Sequence, residues 1–244
     1  MRIGMTLHGA IFDVDGVLVA SPHEHAWREA LTGYADPARF TTEFYQAYVA
    51  GKPRMDGARA TLRKLDVPNA DKLALEYAEK KQAIIDRLIE DGKFEAFPDA
   101  VRFADTLHGA GLKLALASSS KNADAMLMKL SLPDGRSLLS IFDADLSGCE
   151  VSKGKPNPEL FLLASGALGI PPHECVVIED APAGIRAAND GGMASLGIAR
   201  LHDDDLLRDA DADLVVNSLD DVDIAALTSG VLRSQPAVEG LGHA

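Results

Sequence analysis

Four short stretches of this sequence carry side chains suited to chemistry, and three of them directly follow an apolar run. Asp13 and Asp15 come after Ala10, Ile11 and Phe12; Ser118, Ser119, Ser120, Lys121 and Asn122 come after KLALA; Glu179 and Asp180 close CVVIED; and Lys155 stands just before NPELF. Carboxylates brought together without compensation repel and raise one another's pKa. A divalent cation removes that cost, and one or two carboxylates with phosphate and water form the hard-oxygen set that suits Mg²⁺. The Lys155 ammonium and the Ser118 hydroxyl are then placed to hold phosphate oxygens. A carboxylate can also attack phosphorus itself, forming an acyl phosphate that splits one difficult transfer into two easier ones. Asp13, at the end of its apolar run, is the candidate nucleophile. Asp15 is the candidate general acid and base for the leaving and attacking oxygens. Gly16 allows the tight turn that aims Asp15, and the amides of that turn can line a phosphate.

These residues need a scaffold that carries them to one edge, and the patterning supplies it. After Pro98 the chain alternates between helical and strand-like segments: helix DAVRFADTLHGAG, strand KLALA, helix NADAMLMKL, a short strand near IFDAD, helix NPELFLLASGALG, strand CVVIE, helix AGIRAANDGG, then strands ASLGIA and DLVVN. Asn157 before Pro158 signals a helix start, and Gly111, Gly169 and Gly191 signal helix ends. Short apolar strands alternating with helices predict an α/β fold, a Rossmann-like parallel sheet with helices on both faces. Ligands of such sheets bind beyond the carboxyl ends of the strands, where the reactive residues fall.

Between Pro22 and about Gly92 the rhythm changes: HEHAWREAL, TTEFYQAYV, DGARATLRKL and DKLALEYAEKKQAIIDRLIEDG all space apolar residues at three and four. This predicts an all-helical domain over 21–93 inserted after the first strand, with 1–20 and 94–233 forming the α/β core and 234–244 a loose tail. The acidic HDDDLLRDADAD reads as a solvated face.

Bulk properties exclude several roles. The 244 residues carry a net charge of -13, which disfavours a nucleic-acid partner by repulsion. No apolar run approaches the roughly 20 residues of a membrane span, and the start has too short an apolar stretch for a signal peptide. Cys149 and Cys175 fit no paired metal-ligand spacing and read as core or near-core thiols in a reducing compartment. A cytoplasmic protein acting on a small molecule is the expectation.

DVDGVLVAS, SSSKN, KGKPNPELF and VVIEDAPAGIRAAN resemble, in order and spacing, the four motifs of the haloacid dehalogenase superfamily of phosphotransferases. The helical insertion and LALASSSKNADAML resemble the β-phosphoglucomutase group of that superfamily and its small cap. The resemblance implies that Asp13, the main-chain carbonyl of Asp15 and the Asp180 carboxylate bind Mg²⁺, with Glu179 adjacent or direct. It implies that Ser118 and Lys155 bind the transferred phosphate, and that Ser120, Lys121 and Asn122 lie near the substrate or its second phosphate. AGKPRMDGARATL resembles the cap loop whose glycine and arginine, here Gly51 and Arg54, grip a remote phosphate; Ala50 stands where that pattern often has lysine, and Lys52 follows the glycine. A second cap lysine is Lys81, with Lys80 the alternative, and the hinge histidine is His23, with His25 the alternative.

The activity so implied is Mg²⁺-dependent phosphoryl transfer on a sugar phosphate: a mutase moving phosphate between C1 and C6 of β-glucose, or a sugar or polyol phosphate phosphatase. Asp15 and the Glu179–Asp180 pair count against a dehalogenase, and the presence of Asp13 and Lys155 counts against a non-catalytic binding module. A cap of this kind covers the site without a second subunit, so a monomer is expected.

Overall fold

The computed structural model describes residues 6–235. Ala10, Ile11 and Phe12 have no exposed surface, because their strand β1 (Gly9–Phe12) runs through the middle of a six-stranded sheet. With β4 (Lys113–Leu116), β5 (Ala144–Asp145), β6 (Cys175–Glu179), β7 (Ala194–Ile198) and β8 (Leu214–Val216), the order across the sheet is β5-β4-β1-β6-β7-β8, and every pairing is parallel. The register sets Phe12 beside Leu116 on one side and Ile178 on the other. The carboxyl ends of β1, β4 and β6 therefore come out level.

The two-residue alternation of a strand decides what each face meets. Phe12, Leu114, Leu116 and Ile178 point into the cluster holding Phe103 and Leu107 of α5 (Pro98–Gly109). Ile11, Ala115 and Val177 point to the opposite cluster, with Leu160, Phe161 and Ala164 of α7 (Glu159–Leu168) and Ala187 of α8 (Pro182–Asp190). Helices thus cover both faces, as the continuous apolar strands require. Asn157 does act at the head of α7, its Oδ1 accepting from the Glu159 amide at 3.1 Å. At the end of α8 the left-handed residue is Gly192, at φ +77°, one position beyond the expected stop Gly191.

Four helices lie between β2 (Val19–Ala20) and β3 (Glu95–Ala96): α1 (His23–Ala30), α2 (Thr42–Tyr48), α3 (Arg54–Lys64) and the long α4 (Ala70–Glu90). They hold one another through Trp27, Leu62, Tyr77 and Ile85, and the Tyr77 hydroxyl donates to the Trp27 carbonyl at 2.9 Å. The antiparallel pair β2–β3, absent from the sequence pattern because it spans only two residues per strand, brings the two crossings of the chain side by side. Arg200 clasps both: its guanidinium pairs with Asp99 at 2.7 Å, lies 4.0 Å from the Phe97 ring centroid and donates to the Val17 carbonyl at 3.3 Å.

Two further short helices, α9 (Asp204–Arg208) and α10 (Ile224–Thr228), also escaped the patterning, since one buried flank such as Leu207 leaves little periodic signal in five residues. At the start of the expected tail, Ser234 bridges to Val222 and the Gln235 amide donates to the Asp221 carbonyl at 2.6 Å. The remainder of that expected tail, 236–244, lies outside the described residues. Among the described residues no helix is long and apolar enough to cross a membrane.

Candidate active site

Where β1 ends, Asp13 is held by its amide donating to the Ile178 carbonyl at 3.0 Å, and the chain turns back so that the Gly16 amide meets the Val19 carbonyl at 2.8 Å. Gly16 sits at φ +83°, and a Cβ there would stand 1.9 Å from Asp180 Oδ2. No other residue type could make this turn while leaving Asp180 in place. Glu179 and Asp180 emerge from the adjacent β6, and carboxylate oxygens of Asp13, Glu179 and Asp180 lie within 4.8 Å of one another. All three residues are buried, with relative exposures of 4%, 0% and 7%.

Lys155 reaches this cluster from the loop before α7, and its bond to Pro156 is cis. Its Nζ donates to Asp13 Oδ1 and to Glu179 Oε1, both at 2.6 Å. Glu179 Oε2 in turn accepts the amides of Asp180 and Ala181, both at 2.9 Å. Both Glu179 oxygens are therefore committed to holding Lys155 and the turn that carries Asp180. One ammonium stands against three buried carboxylates. Burial pushes the Asp13 carboxyl up to about 7, against Lys155 and with help from Glu179 and Asp15. Burial, followed by Glu179 and Asp13, raises Asp180 well above the ordinary carboxylate range. For Lys155 burial pulls the other way, but Asp13 and Glu179 more than offset it and its pKa rises. This excess of buried acceptor charge fits a divalent cation of hard-oxygen preference, with Asp13 and Asp180 as its available carboxylates.

A cavity of about 460 Å³ opens over the cluster, lined by Asp13, Asp15 and Asp180 at its buried end. The loop between β4 and α6 (Ala123–Leu127) forms one wall. Ser118 is buried, its Oγ accepting the Ser120 amide at 3.1 Å; Ser119 Oγ reaches the Gly51 carbonyl at 3.4 Å, and Ser120 Oγ accepts the Asn122 amide at 3.2 Å. Gly51, at φ +72°, packs against Ala181 and the Lys155 stem, which places the loop between α2 and α3 directly over the acidic end.

The paired alternatives on α1 and α4 fall in different places. His23 and Lys81 line the cavity, with Lys81 Nζ 2.5 Å from His23 Nδ1. An ammonium has no acceptor, so the ring proton is assigned to Nε2, which lies 3.2 Å from Ser120 Oγ and 3.4 Å from Asp15 Oδ1. The latter separation makes no hydrogen bond, and Asp15 Oδ1 remains a buried acceptor without one. Burial pulls His23 down to about 4 against Asp15, with Lys81 adding to the fall. Burial likewise lowers Lys81 to about 7, against Asp15. His25, by contrast, is exposed beside Glu29, and Lys80 donates to the Thr32 carbonyl at 2.6 Å.

At the exposed rim stand Arg54, Lys121 and Asn122. Lys121 Nζ is 3.5 Å from Glu150, and Arg54 donates to Gln82 Oε1 at 2.6 Å. Lys52 also lines the cavity but spends its ammonium on the Tyr48 carbonyl at 2.6 Å. Of the expected site residues, Gly16, Lys155 and Glu179 are not among the lining, although the last two hold Asp13 and Asp180 in place. Gln82, Tyr45, Cys149 and Glu150 line the cavity without having been expected there. Gln82 carried no signal in the sequence, since one helical step from Lys81 turns the side chain by about 100°. Cys149 is half-buried on the cavity wall, whereas Cys175 is a core thiol as expected.

A parallel sheet with an acidic cluster and a buried lysine beyond its carboxyl edge defines the class of α/β enzymes that work at strand ends. The chain belongs to the haloacid dehalogenase-like hydrolases, whose family model matches residues 7–192. It is 31% identical over 209 residues to a protein of Mycobacterium bovis named β-phosphoglucomutase, covering 77% of this chain and 79% of that one. It is 27% identical over 192 residues to the phosphorylated carbohydrates phosphatase of Thermotoga maritima, covering 77% and 82%. The crystal structure of an archaeal β-phosphoglucomutase from Pyrococcus sp. strain ST 04 superposes with a TM-score of 0.72 at 34% identity, covering 91% of this chain and 99% of that one.

Proposed function

We propose that this chain catalyses Mg²⁺-dependent phosphoryl transfer on a sugar phosphate through a phosphorylated Asp13, and that it is a β-phosphoglucomutase. The observation that carries this reading is a single cavity with two unlike ends: buried carboxylates around Lys155 at one, and the cations Arg54 and Lys121 at the other. A substrate with a transferable phosphate and a second anionic group satisfies both. The similarity to mutases supports the same reading.

Asp13 and Asp180, with the Asp15 carbonyl, would hold the ion, while Glu179 stands beside it. The ion supplies charge neutralisation to the transferring group. The Asp13 carboxylate attacks phosphorus as the bond from phosphorus to the sugar oxygen breaks, and Asp15 gives that oxygen its proton. Lys155 and Ser118 hold phosphoryl oxygens. In the return step Asp15 takes the proton of the attacking hydroxyl and phosphorus leaves Asp13 for the new position. His23, fixed by Lys81, faces Asp15 with its Nε2. The helical segment 21–93 serves as a cap on the core formed by 1–20 and 94–233, excluding water from phosphorylated Asp13.

Phosphorus NMR of the protein with Mg²⁺, β-glucose 1-phosphate and a trace of β-glucose 1,6-bisphosphate tests this. Growth of glucose 6-phosphate without free phosphate is expected. Accumulation of free phosphate would convert the reading to a phosphatase, and no change in any sugar phosphate would overturn it.

A further inference from the structure

The geometry points to Gln82 as a positioning residue that sets specificity: it joins Arg54 to Asn122 and so assembles a receptor for a second anionic group on the substrate. The inference rests on the sugar-phosphate reading, and deepens it by assigning a role to a residue outside the phosphoryl-transfer machinery.

The case follows from which atoms can donate. A guanidinium has only donors, so the Gln82 oxygen must face Arg54, and it does at 2.6 Å. The Gln82 nitrogen is then forced to the other side. There it donates to Asp86 Oδ1 at 2.5 Å, a carboxylate that can only accept when ionised, and to Asn122 Oδ1 at 2.9 Å. With its oxygen taken, Asn122 keeps both side-chain N–H groups, for which no hydrogen bond is found among the described residues. One donor-only group and one acceptor-only group on the helical segment therefore determine the amide orientation of a residue on the core. Arg54, Asn122 and Lys121 present donors at the same rim of the cavity. Such a rim favours a group rich in acceptors and bearing charge, a phosphate or carboxylate, over a hydroxyl.

The same bonds couple recognition to docking. Arg54 opens α3, Gln82 lies on α4 and Asn122 follows β4 in the sheet domain. The receptor is complete only while the helices rest on the loop after β4.

The test uses the full chain loaded with Mg²⁺, turnover of p-nitrophenyl phosphate, and two competing inhibitors: inorganic phosphate, with one anionic group, and glucose 1,6-bisphosphate, with two. For Gln82→Leu the ratio of the bisphosphate inhibition constant to that of inorganic phosphate is expected to rise at least about fivefold, the effect of one net hydrogen bond. Gln82→Glu should raise it further, because a carboxylate pairs with Arg54 and turns the Asn122 oxygen toward the ligand. A smaller rise in the ratio, or parallel rises in both constants, overturns the role of Gln82. Failure of the wild-type protein to turn over any phosphomonoester would instead overturn the functional reading; calorimetric titration of the same two probes then still decides the role of Gln82.

Discussion

At the buried end of the cavity Asp13, Ser118 and Asp180, and Glu179 behind them, are all attached within two residues of a strand end, whereas the rim is made of long side chains reaching out from α3, α4 and a loop. The strand register leaves the buried groups almost no freedom; Asp13 and Glu179 are further held by Lys155, and Ser118 by the Ser120 amide. Arg54 and Lys121 are exposed and held by one hydrogen bond or one loose ion pair. A fixed end suits a reaction whose charge develops at one place, and an adjustable end suits discrimination among partners that share that reaction. The same construction accounts for relatives named both as mutases and as a phosphatase of carbohydrates.

If the buried end carries the chemistry, its loss should be close to total. Asp13→Asn is expected to reduce turnover to background, by on the order of 10⁴-fold or more, because no other group can form the acyl phosphate. Trapping of acid-labile phosphoprotein should fail in parallel, and measurable phosphoprotein in this variant would place the nucleophile elsewhere.

Lys155→Met attacks the same end through stability. It leaves Asp13 and Glu179 buried without their counter-charge, and breaking a buried pair in this way costs about 3–5 kcal/mol. Urea unfolding measures the loss, and added Mg²⁺ should recover part of it by binding only the folded state. An unchanged midpoint would mean that the carboxylates are neutral when Lys155 is absent.

Legibility in the sequence divides along the same line. Asp13, Asp15, Glu179 and Asp180 could be read because a strand end fixes where the next residue points, so apolar run plus carboxylate is already a geometric statement. Choosing between His23 and His25, or Lys80 and Lys81, could not be done from spacing with assurance, since one helical step turns a side chain by about 100° and the partner helix decides which face is inside. Trp27, the Lys81 ammonium 5.2 Å from its ring, and Tyr77 settle that face only in three dimensions. The β2–β3 pair was invisible for another reason: two residues carry no period, and their pairing joins Val19 to Ala96 and Ala20 to Glu95, positions 77 and 75 apart.

The pH dependence of stability probes the junction between the two ends. His23 has its folded pKa at about 4, below the ordinary 6.5, so the folded protein binds fewer protons than the unfolded chain across that window. Its contribution is complete above 6.5 and is lost as pH falls toward 4, amounting to about 2 kcal/mol by pH 5. Asp13, raised to about 7, acts with the opposite sign over part of this range, which is why a difference must be measured. The stability of wild type minus that of His23→Gln should shrink by that amount between pH 7 and 5. A constant difference would mean that His23 is already charged when folded.

The smallest effect is expected at the rim, and its pattern matters more than its size. Arg54→Met should cost about 1.5 kcal/mol in kcat/KM, the low end for a charged hydrogen bond because the guanidinium is exposed. That cost should fall on substrates with a second anionic group, and p-nitrophenyl phosphate should lose much less. Equal losses on both would show that Arg54 shapes the helical segment rather than reading the substrate, and the contrast between a fixed chemical end and an adjustable selective end would then have to rest on Lys121 and Asn122. A selective loss would show that the rim can be retuned without disturbing the strand ends, which is the property a family needs if one reaction is to serve many phosphorylated sugars.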